Sequence, residues 1–199
     1  MKIQYCSDLH LEFPANKKSL KENPIKPQGE MLLLAGDIIP FVEMEKVNDF
    51  FNFLSNSFEQ TFWIPGNHEY YRSDVSQRTG AFHEKITSNV SLLNNMAIEH
   101  KGVRLLFSTL WSKINRAFEF AIKKSMADFH LIKSNGMKIT SDDYDQKHED
   151  CRAFLVKELS TMTNLKTIVV THHLPTFLNY PEKYRDSELN TAFATELFD

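Results

Sequence analysis

Four short stretches of this 199-residue chain carry side chains that bind metals or move protons. They are Asp8-Leu9-His10, Gly36-Asp37, Gly66-Asn67-His68-Glu69 and His172-His173. Together they offer two Asp carboxylates, one Asn amide oxygen and several imidazoles, with no thiolate among them. A mixed oxygen and nitrogen set of this kind suits Mn, Fe, Zn or Ni and not a soft-metal cluster, and one carboxylate has the shape to bridge two cations. The densest stretch is Pro65 to Tyr71, where a strand stops at Pro-Gly and delivers an amide, an imidazole and a carboxylate in consecutive positions. Gly66 is expected there to take a backbone angle that other residues resist.

Each stretch follows a strand-like run. Lys2 to Ser7 alternates apolar and polar residues, Met31 to Ala35 and Thr167 to Thr171 are apolar throughout, and Thr61 to Ile64 precedes Pro65. Apolar runs without alternation fit strands covered on both faces. Residues 15–30 are rich in Lys, Pro and Gly and read as a surface loop. Residues 43–58 space Val47, Phe50, Phe51, Leu54 and Phe58 as an amphipathic helix, so strand, helix and strand make a parallel crossover. Residues 74–88 read as a weak helix interrupted by Gly80, with Phe82 and Ile86 inward. Residues 90–93, 97–100 and 103–108 resemble an antiparallel meander in a second sheet. Residues 115–129 read as a helix with Phe118, Ile122 and Met126 on one face, followed by a turn at Asn135-Gly136. Thr140 or Ser141 caps the next helix, with Tyr144, His148, Cys151, Leu155, Leu159 and Met162 as its seam.

In an open parallel sheet the C-terminal strand ends lie along one edge, so the four polar loops are expected to meet. Taken singly, each has a plainer account: Gly-Asp as a turn, Asp-x-His as an Asx-turn beside a surface histidine, Asn67 as a turn residue, paired His before Pro as loop surface. Four independent strand ends acquiring metal-compatible side chains by accident is the less economical account.

The same ordered blocks, Asp8-x-His10, Gly36-Asp37, Gly66-Asn67-His68-Glu69 and His172, resemble the motifs of the calcineurin-like metallophosphoesterases over nearly the whole chain. The resemblance implies an α/β fold, a four-layer sandwich of two mixed β-sheets flanked by helices. It implies that Asp8 and His10 bind one divalent metal, that Asp37 bridges two, and that Asn67 and His172 bind the other. Two such cations, about 3.5 to 4 Å apart, would hold a bridging hydroxide for in-line attack on a phosphomonoester or phosphodiester. His68 would face the phosphoryl group as catalytic acid or charge stabiliser, or else be a loop histidine orienting Asp8 or Asp37. His173 is a candidate substrate contact, with a solvent-facing position beside a ligand as its alternative. Tyr70 and Tyr71 read as core or pocket wall, and Lys123-Lys124 as a solvated helix face.

The family's final Gly-His-x-His motif is absent, since no histidine follows His173. Residues 1–199 are therefore expected to form a single domain lacking that segment, with 115–150 as a candidate helical lid. Ser187 to Asp199 starts like an amphipathic helix, with Leu189, Phe193 and Leu197 on one face, and ends on Asp199 without a glycine cap. A truncated C-terminus is expected, leaving an exposed sheet edge through which a homodimer could form. The absent motif keeps a second reading open, a catalytically impaired member serving as a metal-binding or protein-interaction scaffold.

A net charge of −3 and a pI near 6.2 speak against a broad nucleic-acid surface and favour a small phosphoester substrate. No apolar run reaches the roughly 20 residues of a membrane span, and no signal-peptide pattern opens the chain, so a soluble, cytoplasmic protein is expected. Cys6 and Cys151 stand far apart, without Cys-x-x-Cys spacing, and read as small buried hydrophobes.

Overall fold

A computed structural model describes residues 1–198. In chain order the first half comprises β1 (Ile3–Cys6), α1 (Pro14–Glu22), β2 (Met31–Ala35), α2 (Asn48–Ser57), β3 (Gln60–Ile64), β4 (Phe82–Lys85) and β5 (Val90–Asn94). The second comprises β6 (Met96–His100), β7 (Val103–Ser108), α3 (Glu119–Ser125), α4 (Asp128–Leu131), β8 (Lys133–Ser134), β9 (Met137–Lys138), α5 (Ser141–Leu159) and β10 (Lys166–Thr171). One sheet runs β1-β2-β3-β5-β4, parallel except for the antiparallel β4. A second runs β10-β7-β6, with β10 parallel and β6 antiparallel to β7.

The period-two direction of strand side chains separates the layers. Leu32, Leu34, Trp63, Val90 and Leu92 pack outward with Val47, Phe51, Leu54 and Phe58 of the α2 region. Met31, Leu33, Phe62 and Ile64 face inward and meet Leu105, Phe107 and Val170 of the other sheet. Leu106, between Leu105 and Phe107, points to the far side, where Tyr144, Cys151 and Leu155 of α5 pack. The result is the expected sandwich of two mixed sheets flanked by helices. Phe62 and Phe107 meet across the middle with ring centroids 5.0 Å apart, and burying each such side chain stabilises the fold by roughly 1.5–3 kcal/mol.

Several local expectations are corrected. Residues 14–22 form α1 and not loop: Pro14 occupies the first turn, where its missing N–H is harmless, and Leu20 packs on the outer core. The helix expected from Glu43 begins as a 3-10 turn, Phe41–Val47, before α2. Residues 74–88 are a 3-10 turn, Val75–Gln77, then β4, because the Asp74 carboxylate accepts the N–H groups of Ser76, Asn135 and Gly136 and pins the chain there. Val90–Asn94 leaves the meander and joins the first sheet, buried along its whole length between helices and the second sheet.

The segment 115–129 breaks into a 3-10 turn, α3 and α4, since Asp128 must turn inward to its buried partners. Phe118 is exposed, while Ile122 and Met126 are buried. On α5, Tyr144, His148, Cys151 and Leu155 form the seam, but Leu159, the last residue of the helix, and Met162, past its end, stand exposed. β10 is not doubly covered; it lies at that sheet's edge with Val169 exposed. Leu189 and Leu197 do pack on the core, yet no helix joins them. Thr191 and Thr195 hydroxyls accept the N–H groups of Asn115 and Lys113, and Leu174 pairs with Ala194 as a bridge, so residues 190–195 form a 3-10 turn and an extended stretch. The expected end at Asp199 lies outside the described residues.

Thr140 caps α5 through a capping box. Its hydroxyl accepts the Asp143 N–H at 3.1 Å, and the Asp143 carboxylate accepts the Thr140 N–H at 2.8 Å. Thr140→Ala is expected to cost about 1 kcal/mol, read as a lowered thermal midpoint with an unchanged fold.

Candidate metal centre

The loops that leave β1, β2, β3 and β10 converge. Pairing between β1 and β2 continues past the strands, as Asp8 N–H donates to the Gly36 carbonyl at 3.0 Å and His10 N–H to that of Asp37 at 2.9 Å. Asn16 of α1 donates to the carbonyls of Leu9 and His10, which fastens this loop from below. Asp8, His10 and Asp37 all sit in the left-handed region, with φ of 55°, 44° and 57°. Side chains with a Cβ rarely adopt it, and such strain gathers at functional sites.

His172 brings the second sheet to the first. Its Nδ1–H donates to the Ala35 carbonyl at 2.8 Å, which leaves Nε2 as the lone pair of the neutral ring. That nitrogen lies 3.2 Å from Asn67 Oδ1 and 3.4 Å from Asp37 Oδ1. Two glycines permit this approach. A Cβ on Gly36 would stand 2.4 Å from His172 Nδ1, and one on Gly66 would stand 2.2 Å from Asp37 Oδ1 and 2.7 Å from His172 Nε2. Gly36 also needs its φ of +89°. Gly66 is thus required for space and not, as expected, for its backbone angle, since its φ is not in the positive region.

The other carboxylate oxygen of Asp37, Oδ2, faces His10 Nε2 at 3.8 Å, and that same nitrogen lies 3.8 Å from Asp8 Oδ1. Asp8, His10 and Asp37 are close enough to hold one metal ion. Asp37 therefore has donors on both sides: Asp8 and His10 at one oxygen, Asn67 and His172 at the other. Burial opposes a positive charge on His172, but the Asp37 carboxylate, the Ala35 carbonyl and the Glu69 and Asp8 charges together outweigh it, so the ring's affinity for a proton is raised. A nitrogen lone pair between an amide oxygen and a carboxylate oxygen is a seat for a cation, and the donor set fits divalent metals.

Behind these groups lies a second set. Glu69 is fully buried and accepts from Asp37 N–H at 2.9 Å, Ile38 N–H at 2.7 Å, Gly66 N–H at 2.7 Å and Trp63 Nε1–H at 3.2 Å. Burial and the Asp37 charge push its carboxyl pKa up, while the Ile38 and Gly66 N–H groups favour the ionised form. Every contact to its oxygens is an N–H donor, an arrangement that serves a carboxylate. Asn67 donates from Nδ2 to Asp128 at 2.8 Å, and Asp128 also accepts from Tyr144 at 2.7 Å and Tyr71 at 3.0 Å. Asp128 so fixes which end of the Asn67 amide faces His172. Burial first, then the Asp128 charge, raises both tyrosine pKa values and keeps the phenols as donors.

His68 is held at three points. Its N–H donates to Asp37 Oδ1 at 3.0 Å, its ring stacks on Tyr71 with centroids 4.0 Å apart, and its Nδ1 meets Glu12 at 2.9 Å. Its Nε2 points toward Asp37 Oδ2 at 4.0 Å. Glu12 also meets His10 Nδ1 at 3.3 Å. Burial works against ionising Glu12, but the hydrogen bonds from the two rings bring its pKa down to about 2. His173 is placed differently from the other candidates: it is 3% exposed, stacked on Trp111 and edge-on to Tyr144, so it has neither a solvent face nor an open side for a ligand.

Glu12, Asp128 and Tyr144 were not assigned site roles by sequence reasoning. The alternation Asp8-x-His10-x-Glu12 was a usable signal for the first; nothing local distinguishes Asp128. Removing Glu69 strands three backbone N–H groups and an indole N–H in the interior. Glu69→Ala is expected to destabilise the fold by roughly 3–5 kcal/mol in denaturant unfolding, far more than Thr140→Ala.

The family model described as calcineurin-like phosphoesterase matches residues 1–197. An uncharacterised protein of Acanthamoeba polyphaga mimivirus, L509, is 32% identical over 221 residues, covering 98% of this chain and 78% of that protein. The crystal structure of phosphopantetheinyl hydrolase (PptH) from Mycobacterium tuberculosis superposes with a TM-score of 0.63 at 17% identity, over 97% of this chain and 75% of that one. The chain belongs to the calcineurin-like phosphoesterase family.

Proposed function

We propose that the protein is a metal-dependent phosphoesterase that hydrolyses small phosphomonoesters or phosphodiesters, with Asp8, His10, Asp37, Asn67 and His172 as ligands of two divalent cations (Mn, Fe, Zn or Ni). The observation that carries this reading is the two-sided Asp37 carboxylate, with His10 Nε2 at 3.8 Å from one oxygen and His172 Nε2 at 3.4 Å from the other. Two cations bound there would polarise the phosphoryl oxygens and supply a water that ionises near neutral pH.

The chain's own groups then have distinct tasks. Asp37 holds the two halves of the site in register. Asn67, locked by Asp128, offers only its oxygen. His68, backed by Tyr71 and Glu12, aims Nε2 into the space beside Asp37, where it can give a proton to a departing alkoxide. Residues 115–150 place Ile122, Met126, Phe129, Ile132, Ile139 and Tyr144 in the core, so we assign this segment as a fixed wall and not a moving lid. The net charge of −3 supports a small cytoplasmic phosphoester over nucleic acid. No helix among the described residues is long and apolar enough to cross a membrane.

The test combines bound metal with turnover of 4-nitrophenyl phosphate and bis(4-nitrophenyl) phosphate. Chelation is expected to abolish hydrolysis and added manganese to restore it. Asp37→Ala is expected to lose metal and to lower turnover by about 10³-fold, the equivalent of roughly 4 kcal/mol of charge stabilisation. Activity surviving that change contradicts the proposal, and metal bound without turnover of either ester favours the scaffold reading. Asp128→Ala, which frees the Asn67 amide, is expected to weaken manganese binding about 10- to 100-fold in calorimetry while the protein stays folded.

A further inference from the structure

Glu12 sits in the loop between β1 and α1 with only 6% of its side chain exposed. A single oxygen, Oε1, meets two rings: His68 Nδ1 at 2.9 Å and His10 Nδ1 at 3.3 Å. The rings lie edge to face with centroids 4.3 Å apart. On each ring the remaining nitrogen faces the same atom, Asp37 Oδ2, at 3.8 Å from His10 and 4.0 Å from His68. The second Glu12 oxygen is buried and has no hydrogen-bond partner among the described residues. Half of this buried carboxylate is thus uncompensated, a cost that an apolar side chain of the same size would avoid. What the carboxylate achieves it achieves through Oε1.

An ionised carboxylate only accepts hydrogen bonds. Each Nδ1 that meets Oε1 must therefore carry a proton, and in a neutral imidazole that leaves Nε2 as a lone pair. Histidine in water favours the opposite tautomer, with the proton on Nε2, so the protein has to impose this one. From this geometry we infer that Glu12 is a positioning residue that clamps two imidazoles with one oxygen. It presents His10 Nε2 as a bare donor toward a cation at Asp37, and it holds His68 by Nδ1 so that in the imidazolium the Nε2 proton faces the phosphoryl position; that proton leaves with the alkoxide and the ring returns to the Nδ1–H tautomer. The catalytic half of this inference rests on the phosphoesterase reading; the tautomers do not.

Long-range nitrogen-15 spectra of the imidazoles, taken on the metal-free protein at alkaline pH where both rings are neutral, read the tautomers directly. The wild-type chain is expected to show Nδ1–H and bare Nε2 on both His10 and His68, and Nε2–H on either ring overturns the clamp without any variant. Glu12→Met, similar in size but with no acceptor, is expected to release both rings to a mixture dominated by Nε2–H. Glu12→Gln, which keeps a carbonyl oxygen in reach, is expected to retain Nδ1–H. Unchanged tautomers in Glu12→Met overturn the inference.

Metal and leaving-group measurements supply the second arm. Glu12→Met is expected to bind manganese about 10- to 100-fold more weakly. At saturating manganese its kcat on an alkyl phosphoester should fall about 100-fold further than on the 4-nitrophenyl ester of the same class, whose leaving group needs no proton. Equal losses on the two esters, or a manganese ion seated among His10, Glu12 and His68, overturn it. If the wild-type chain hydrolyses neither ester, the phosphoesterase reading fails and the spectra alone decide the clamp.

Discussion

The buried carboxylate of Glu69 is where the two halves of this molecule's chemistry are tied. It accepts from Asp37 and Ile38 after β2, from Gly66 after β3, and from Trp63 within β3. Two strand ends are thereby locked to one rigid acceptor, and the left-handed conformation at Asp37, which would otherwise relax, is held. From that anchor the Asp37 carboxylate is aimed outward and the Asn67 amide is set beside it. Without Glu69 the loops after β2 and β3 would still be joined by the His68 N–H donation to Asp37, but the Asp37, Ile38 and Gly66 N–H groups would lose their shared acceptor.

The same economy recurs one layer out. The second sheet contributes a single side chain to the proposed metal centre, His172, and it is secured by donation to Ala35 of the first sheet. That contact and the Thr109 hydroxyl bond to the Pro65 carbonyl, at 2.7 Å, draw the two sheets together at the edge where chemistry would occur. The close approach explains Gly66 by space alone, and Gly36 by space together with its φ of +89°. In the proposed centre the polar groups are oriented from behind by acceptors: the Asn67 amide by Asp128, the His172 ring by the Ala35 carbonyl, and the His10 and His68 rings by Glu12. Such outer partners set tautomer and direction as firmly as the ligands themselves set affinity.

The ends of the apolar strands were legible because a strand buried on both faces leaves an unbroken hydrophobic run, and the first polar residue after it marks the sheet's edge. Asp37, Asn67 and His172 were found that way, and the sandwich followed from the family resemblance of the same blocks. Asp128 was hidden because its partners Tyr71 and Asn67 lie 57 and 61 residues away in sequence, beyond any local pattern, whereas Glu12 stood in a visible alternation with His10 and only its tie to His68, 56 residues on, was out of reach. Helix and strand were confused where a tertiary contact outranked spacing. Phe82 and Ile86 point inward equally well from a strand as from a helix, and Asp128 breaks a helical run to reach Asn67. The seam of α5 was read too far because periodicity carries no information on where the helix ends: Leu159 is its last residue and Met162 lies past it.

The central claim is that Asp37 carries a cation on each of its two sides. Crystals grown with manganese and measured for anomalous scattering test it most directly. The account predicts two peaks flanking the Asp37 carboxylate, one against Asp8 and His10 and the other against Asn67 and His172. No peak at Asp37, or manganese only among His10, Glu12 and His68, would contradict it.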